Sequence, residues 1–405
     1  MSRSGAAVES RNDGIADAAP PSDLGRRAEA RPARPARHDW SPARPVSPLL
    51  TLGDVFVGMP AVQAALSGYS DGPMRRIARR HGASYTLCEV MLDQFLVALK
   101  DRQKTSHVLA IADEEHPVGG QLMGAEPEQF AAGAARLVRA GFDVIDINFG
   151  CPVKKVLGRC RGGFHLSQPD VALEIVARTR DVVPSGTPLT VKMRRGLDDS
   201  RQSRDNFYTI LDGAFALGVD AVTVHGRTVM QRYVGPSDWD ALRDVKRHVG
   251  GRTILGSGDL FTAGDVLAML DHTGIDGVTV ARGAIGNPWI FGEVRALLAG
   301  LPLPDPPTVL EQRAVLAEHY SLAEAMYGPK KAPVLMRKFA IKYGHRHPDP
   351  AAIRRAFCRI RDREQFQAVL AEHYSDDGPG RHVTAADHGI DTEATADGGW
   401  ACGAG

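Results

Sequence analysis

The chain has little cysteine and no excess charge, and it lacks any long apolar run. Its five cysteines (Cys88, Cys151, Cys160, Cys358 and Cys402) are odd in number, widely spaced and without a metal-type pattern. That excludes a disulfide framework and reads as reduced thiols in a cytoplasm. The 49 Lys and Arg are balanced by 48 Asp and Glu, a net charge of +1. Any nucleic-acid contact therefore has to come from a local basic patch. No apolar run approaches the ~18 residues of a membrane span. The Arg-, Ala- and Pro-rich amino terminus lacks the hydrophobic core of a signal peptide. The expectation is a cytoplasmic protein with no membrane or metal attachment.

What is present is uneven along the 405 residues. Residues 1–48 are poor in β-branched and aromatic side chains and dense in Pro, Ala and Arg. Such a stretch cannot bury enough apolar surface to order itself and is expected to be disordered. The Gly-, Asp- and Ala-rich residues 376–405 read the same way. Between them, short β-branched runs alternate with helical patterns. Strands are expected at 62–66, 84–88, 118–122, 143–147, 188–193, 220–224, 252–256 and 276–280. Helices are expected at 72–81, 91–101, 127–140, 168–182, 203–217, 237–248 and 262–272. Gly82, Gly141, Gly218 and Gly274 stand where helix C-caps belong. Eight strands with seven intervening helices make an α/β fold, a (β/α)8 TIM barrel over 49–305. A doubly wound sheet would usually have fewer strands. After Pro307 the strands stop, and 308–327, 331–343 and 351–371 read as a small all-helical domain over 306–375.

In such a barrel, chemistry sits at the carboxyl ends of the strands. The fourth expected strand ends in Asn148-Phe149-Gly150-Cys151-Pro152-Val153-Lys154-Lys155-Val156. A lone Cys before Pro is most often a buried small residue, but here the other strands also deliver polar or glycine-rich ends. Ser67-Gly68-Tyr69-Ser70-Asp71 follows the first strand, and the second ends at Glu89. The third carries Gln121, the fifth Lys192 and the sixth His225-Gly226-Arg227-Thr228. The seventh ends in Gly256-Ser257-Gly258-Asp259, the eighth in Ala281-Arg282-Gly283. The set makes physical sense as a flavin mononucleotide (FMN) site. Glycine-rich loops after the last two strands expose backbone N–H groups to a phosphate, and Arg282 adds a cation. Lys192 is placed to stabilise negative charge on the flavin's pyrimidine end. Gln121 and Asn148 suit the ring's amide edge or a substrate base, and the backbone at 65–67 can pack against the ring.

These blocks resemble the tRNA-dihydrouridine synthases over about 51–345. Asn148–Val156 is similar to the family's Asn-x-Gly-Cys-Pro-x-Lys-Lys-Val signature. Ala64–Arg75, Val191-Lys192-Met193-Arg194, His225–Thr228, Gly256–Asp259 and Arg282–Trp289 match its other blocks in order. The resemblance implies reduction of the uridine 5,6 double bond in tRNA by FMN, with NADPH or NADH as reductant. Flavin N5 would deliver hydride to C6 and Cys151 would protonate C5. It puts Ala65, Leu66, Ser67, Gln121, Lys192, His225, Ser257, Gly258, Asp259, Ala281 and Arg282 on flavin-contacting positions. It puts Asn148 where the uracil is held. Ala65-Leu66 replace the usual Pro-Met, Ser257 an Asn and Ala281 a Gly, at positions whose contacts run largely through the backbone.

A tRNA partner is also expected from the helical part. Residues 329–365 hold eleven Lys and Arg against three acids, a balance of +8. Lys330, Lys331, Arg337 and Lys338 are the candidate phosphate contacts, with Arg227 at the rim. The rival expectations are an FMN barrel acting on a free small molecule and a catalytically weakened RNA-binding homologue.

Overall fold

The structure, a computed structural model, describes residues 49–100 and 106–388. It opens with an antiparallel hairpin, β1 (Leu50–Leu52) and β2 (Val55–Gly58). Leu50, Leu52 and Val57 pack against Val62, Tyr85, Leu87, Val144, Ala221 and Leu255, closing the floor of the barrel. The barrel begins with β3 (Ala61–Gln63) and β4 (Thr86–Leu87), beyond which the short β5 (Met91–Leu92) leaves the ring. It continues through β6 (Val118–Met123), β7 (Val144–Phe149), β8 (Leu189–Arg194), β9 (Ala221–His225), β10 (Thr253–Ser257) and β11 (Gly277–Val280). Every neighbouring pair in the ring is parallel, and β4 paired with β6 closes eight strands. All eight expected strands are present within a few residues.

The helices that cover the barrel are α1 (Gly72–Arg80), α2 (Asp93–Ala98), α3 (Pro127–Arg139), α4 (Lys154–Leu157), α5 (Pro169–Val182), α6 (Arg201–Ala216), α7 (Trp239–Val249), α8 (Ala263–Thr273) and α9 (Ile290–Leu298). Local chemistry sets their ends. Asp71, Ser200, Asp238 and Thr262 each accept a hydrogen bond from the first turn that they cap, worth ~1 kcal/mol apiece. The four glycines expected to stop helices all have positive φ, from 69° to 100°. The helix expected at 91–101 is shorter than its pattern, because Met91 and Leu92 pair with Leu122 and Met123 as β5.

The helical region is α10 (Val309–Tyr327), α11 (Ala332–Tyr343), α12 (Pro350–Phe357) and α13 (Arg363–His373). The single helix expected at 351–371 is broken at Asp362, whose side chain caps α13 by accepting from the Gln365 amide. The region packs on the barrel, with α10 against α1. Arg346, 1% exposed, donates to Asn287 Oδ1 (2.9 Å from Nε) and to Glu293 Oε1 (2.7 Å) on the barrel side. Losing one partner of such a buried pair costs about 3–5 kcal/mol.

The expectation of disorder from 376 onward fails for residues 376–388. The Val309 amide donates to Gly378 O, the Arg381 amide to Arg346 O, and the buried His388 ring lies 4.9 Å from Phe261. Composition missed this because the segment is held by backbone bonds and scattered polar side chains, such as Asp377 on the Leu310 amide and Arg381 on His345 O, rather than by an apolar run. Residues 1–48 and 389–405 lie outside the described residues.

Candidate active site

Strand register builds the site in rows. Gln121 is opposite Asp146, and Asp146 opposite Thr190. One row nearer the rim, Asn148 is opposite Lys192 and Lys192 opposite Thr223. The next row sets Arg194 beside His225 and His225 beside Ser257. Because side chains alternate along a strand, Asp146 and Asn148 share one face of β7. Thr190, Lys192 and Arg194 share one face of β8.

The lowest row carries a directed chain of hydrogen bonds. Asp146, 2% exposed, accepts from Thr190 Oγ1 at 2.5 Å and from Gln121 Nε2 at 2.6 Å. Gln121 Oε1 in turn accepts from Asn148 Nδ2 at 2.8 Å. That leaves Asn148 Oδ1 to accept the amides of Gly150 (3.0 Å) and Cys151 (3.1 Å). With its two oxygens accepting from Thr190 and Gln121, Asp146 sets the polarity of both amides and through them the Cys151 loop. Burial raises the Asp146 carboxyl above its ordinary range, against smaller lowering influences from the bonds of Thr190 and Gln121 and from the Lys192 charge. Sequence reasoning missed Asp146, although its i−2 spacing from Asn148 on a strand was the available signal.

Cys151 is half-buried beside this chain. Burial raises its thiol pKa, against smaller lowering influences from the Val153 amide, Arg194 and Lys192. The thiol therefore stays protonated at neutral pH. Lys154 and Lys155 are exposed and are not among the influences on the sulfur. Arg194, 3% exposed, donates to Gly150 O (3.0 Å), Thr228 O (2.8 Å) and Arg232 O (2.6 Å), joining the Cys151 loop to the loop after β9. Lys192 is lowered to about 8, chiefly by burial and then by Arg194, with Asp146 and Cys151 opposing. His225 is held well below its ordinary value by burial first, then by Arg194, Lys192, Arg227 and Arg282. It is neutral, and its Nδ1 accepts the Arg227 amide at 3.2 Å, so Nε2 carries the proton.

The loops after β10 and β11 form a cationic cradle. Gly258 has φ +118°, and a Cβ there would lie 2.3 Å from Ser237 Oγ. Asp259 accepts from Arg227 Nη2 at 2.7 and 2.9 Å and from the Ser237 amide at 2.8 Å, with Arg282 3.8 Å away. Arg227 is 1% exposed and also bonds Gly235 O, so it cannot serve as the rim contact to RNA expected of it. It braces the cradle instead, and its buried Nη1 has no partner. That orphaned donor, two guanidinium groups and a tight glycine turn fit the phosphate of a bound FMN. Ala281 precedes the short turn of Arg282–Ala284. On the neighbouring loop after β3, the Leu66 amide donates to Ser70 Oγ (2.8 Å), with Ala65 half-buried and Ser67 exposed.

The basic patch is less uniform than its composition. Lys330 and Lys331 are exposed. Arg337 is half-buried and donates to Ile360 O at 2.8 Å. Lys338 is half-buried against the barrel, and Arg346 is buried. Counting charges could not distinguish these, because α11 also buries Met336, Phe339 and Tyr343.

Several relatives resemble the chain over this same span. A probable tRNA-dihydrouridine synthase of Mycobacterium tuberculosis is 34% identical over 336 residues, 80% of this chain and 84% of that one. A tRNA-dihydrouridine synthase B of Xanthomonas campestris is 31% identical over 328 residues, 80% and 96% of the two chains. Among solved structures, a 2-naphthoyl-CoA reductase complex aligns with TM-score 0.50 and 12% identity, covering 64% of this chain and 52% of that chain, a likeness of fold. The dihydrouridine synthase family model matches residues 62–377, and the chain belongs to that family.

Proposed function

We propose that the protein reduces the 5,6 double bond of uridine in tRNA, with FMN as cofactor and NADPH or NADH as reductant. The observation that carries this reading is the half-buried, protonated Cys151 at the barrel rim, its loop amides fixed by Asn148 and a cationic pair, Lys192 and Arg194, close by. The phosphate of FMN would lie on the backbone of Ser257, Gly258 and Asp259 and of Ala281 and Arg282, with the free Nη1 of Arg227 toward it. The ring would run between Ala65–Ser67 and the side chains of Gln121, Lys192 and His225. When bound, the flavin supplies the hydride that enters C6 of the uracil.

The chain's own residues do the rest. The Cys151 thiol gives its proton to C5, which the raised pKa permits, and the resulting thiolate is stabilised by Lys192 and Arg194. Asn148 spends one Nδ2 hydrogen on Gln121 and keeps the other for a uracil carbonyl. His225 offers an Nε2–H as a neutral donor. Exposed Lys154, Lys155, Lys330 and Lys331 suit RNA phosphates around the rim. The uridine must leave its stack to reach Cys151, at a cost of a few kcal/mol that these contacts offset.

The purified protein should be yellow, with bound FMN, and should consume NADPH anaerobically beyond the one equivalent that reduces the flavin only when unmodified tRNA is added. Consumption with free uridine at the same rate would favour the small-molecule reading. A colourless protein that binds tRNA would favour the weakened homologue.

A further inference from the structure

The helical region reaches the rim at two adjacent loops. The loop after β3 and the loop after β11 belong to strands that pair with each other. On the first loop, the Lys338 ammonium of α11 donates to Gly68 O and lies 4.7 Å from the centre of the Tyr69 ring. Tyr69 stands edge-on to Phe339, centroids 5.5 Å apart. Tyr327, at the end of α10, donates its hydroxyl to Asp71 Oδ2 at 3.0 Å. From the barrel side, Glu89 accepts the Gly68 amide. Gly68 has φ +78°, so both of its peptide groups are held while its backbone sits in the left-handed region. On the second loop, a Cβ at Gly286 would come within 2.4 Å of the Tyr343 amide, and Arg346 holds Asn287. Each loop is thus backed by α10 or α11.

We propose that Lys338, with Tyr327, is a positioning residue for the Ala65–Asp71 loop, so that the helical region shapes the active-site rim as well as facing RNA. The charge balance around Lys338 favours this over a phosphate contact. Its ammonium is half-buried, and Asp71 and Glu89 are the charges acting on it. A cation already facing two carboxylates and a carbonyl has little left to offer a phosphate. The role of the loop beside the flavin rests on the function proposed above; the positioning itself does not.

Hydrogen exchange of the flavin-free protein tests the positioning directly. In Lys338→Met, which keeps the side chain's length and loses its charge, the amides of 66–71 should exchange at least 10-fold faster, with exchange in β6–β9 unchanged. Lys338→Arg should restore most of the protection, and Tyr327→Phe should give a smaller, local increase near Asp71. In the holoenzyme, Lys338→Met should weaken FMN binding about 5–20-fold and leave the slope of log tRNA affinity against log salt unaltered. A slope reduced by about one unit, with loop exchange unchanged, would make Lys338 a phosphate contact and overturn the proposal. Global acceleration of exchange in Lys338→Met, with Tyr327→Phe indistinguishable from wild type, would overturn it too. If wild-type protein binds no flavin, the functional reading fails, yet the exchange result still decides the positioning.

Discussion

At the scale of single residues, the site separates groups that act from groups that hold them. Cys151→Ala should leave FMN bound but lower turnover roughly 10²–10⁴-fold, the usual contribution of a positioned acid. Rapid-mixing kinetics with tRNA would measure it, and full activity in the variant would remove Cys151 from the mechanism. Lys192 makes a pH prediction. It is protonated below about 8 and neutral above, so turnover that depends on its charge should fall as pH rises through about 8. The Asp146 carboxylate is among the influences that raise Lys192. Asp146→Asn should therefore shift that limb to lower pH, while its remaining carbonyl can still accept from Gln121. A profile that does not move would mean that Asp146 acts only by hydrogen bonding. Cys151, Lys192, Asn148 and His225 could be picked out as candidates from the sequence because each lies at, or within two residues of, the carboxyl end of a strand. Asp146 was not singled out, because its spacing from Asn148 gives the shared face of the strand but not its partners on β6 and β8. Arg227 was assigned to the wrong role for a related reason. Its type suggested a phosphate contact, but its position is set by Asp259, 32 residues away.

At the scale of elements, strand ends place the chemistry and glycines allow the loops to close. The eight strands could be read from β-branched runs bounded by turn residues. The hairpin that plugs the barrel and the short β5 were missed because two to four residues carry too little pattern. Gly258 shows how tightly a loop after a strand is specified. Replacing it with Ala would add a Cβ at φ +118° within 2.3 Å of Ser237 Oγ. We expect a loss of stability of about 1–3 kcal/mol and a clear loss of FMN affinity, read by calorimetric melting and flavin titration. A variant with wild-type melting temperature and flavin content would show that the turn tolerates a side chain and does not cradle the phosphate.

At the scale of the whole molecule, the balance of charge near zero makes local placement decisive. The +8 balance of residues 329–365 includes Arg346, buried in an ion pair, and Lys338, turned to the barrel. Composition predicts a basic face without saying which cations form it. Lys330 and Lys331 remain exposed at the start of α11, so changing both to Gln should reduce the salt slope of tRNA affinity by up to about two units. Flavin content should not change, and an unaltered slope would move the RNA footprint to other loops. The central claim is that this barrel uses Cys151 to reduce uridine within tRNA. It is tested most directly by incubating unmodified tRNA with the purified protein, FMN and NADPH, then digesting the RNA and measuring dihydrouridine by mass spectrometry. The account predicts dihydrouridine from the wild-type protein and at least 100-fold slower formation with Cys151→Ala. No dihydrouridine from a flavin-loaded wild-type protein, or equal formation by both proteins, would contradict it.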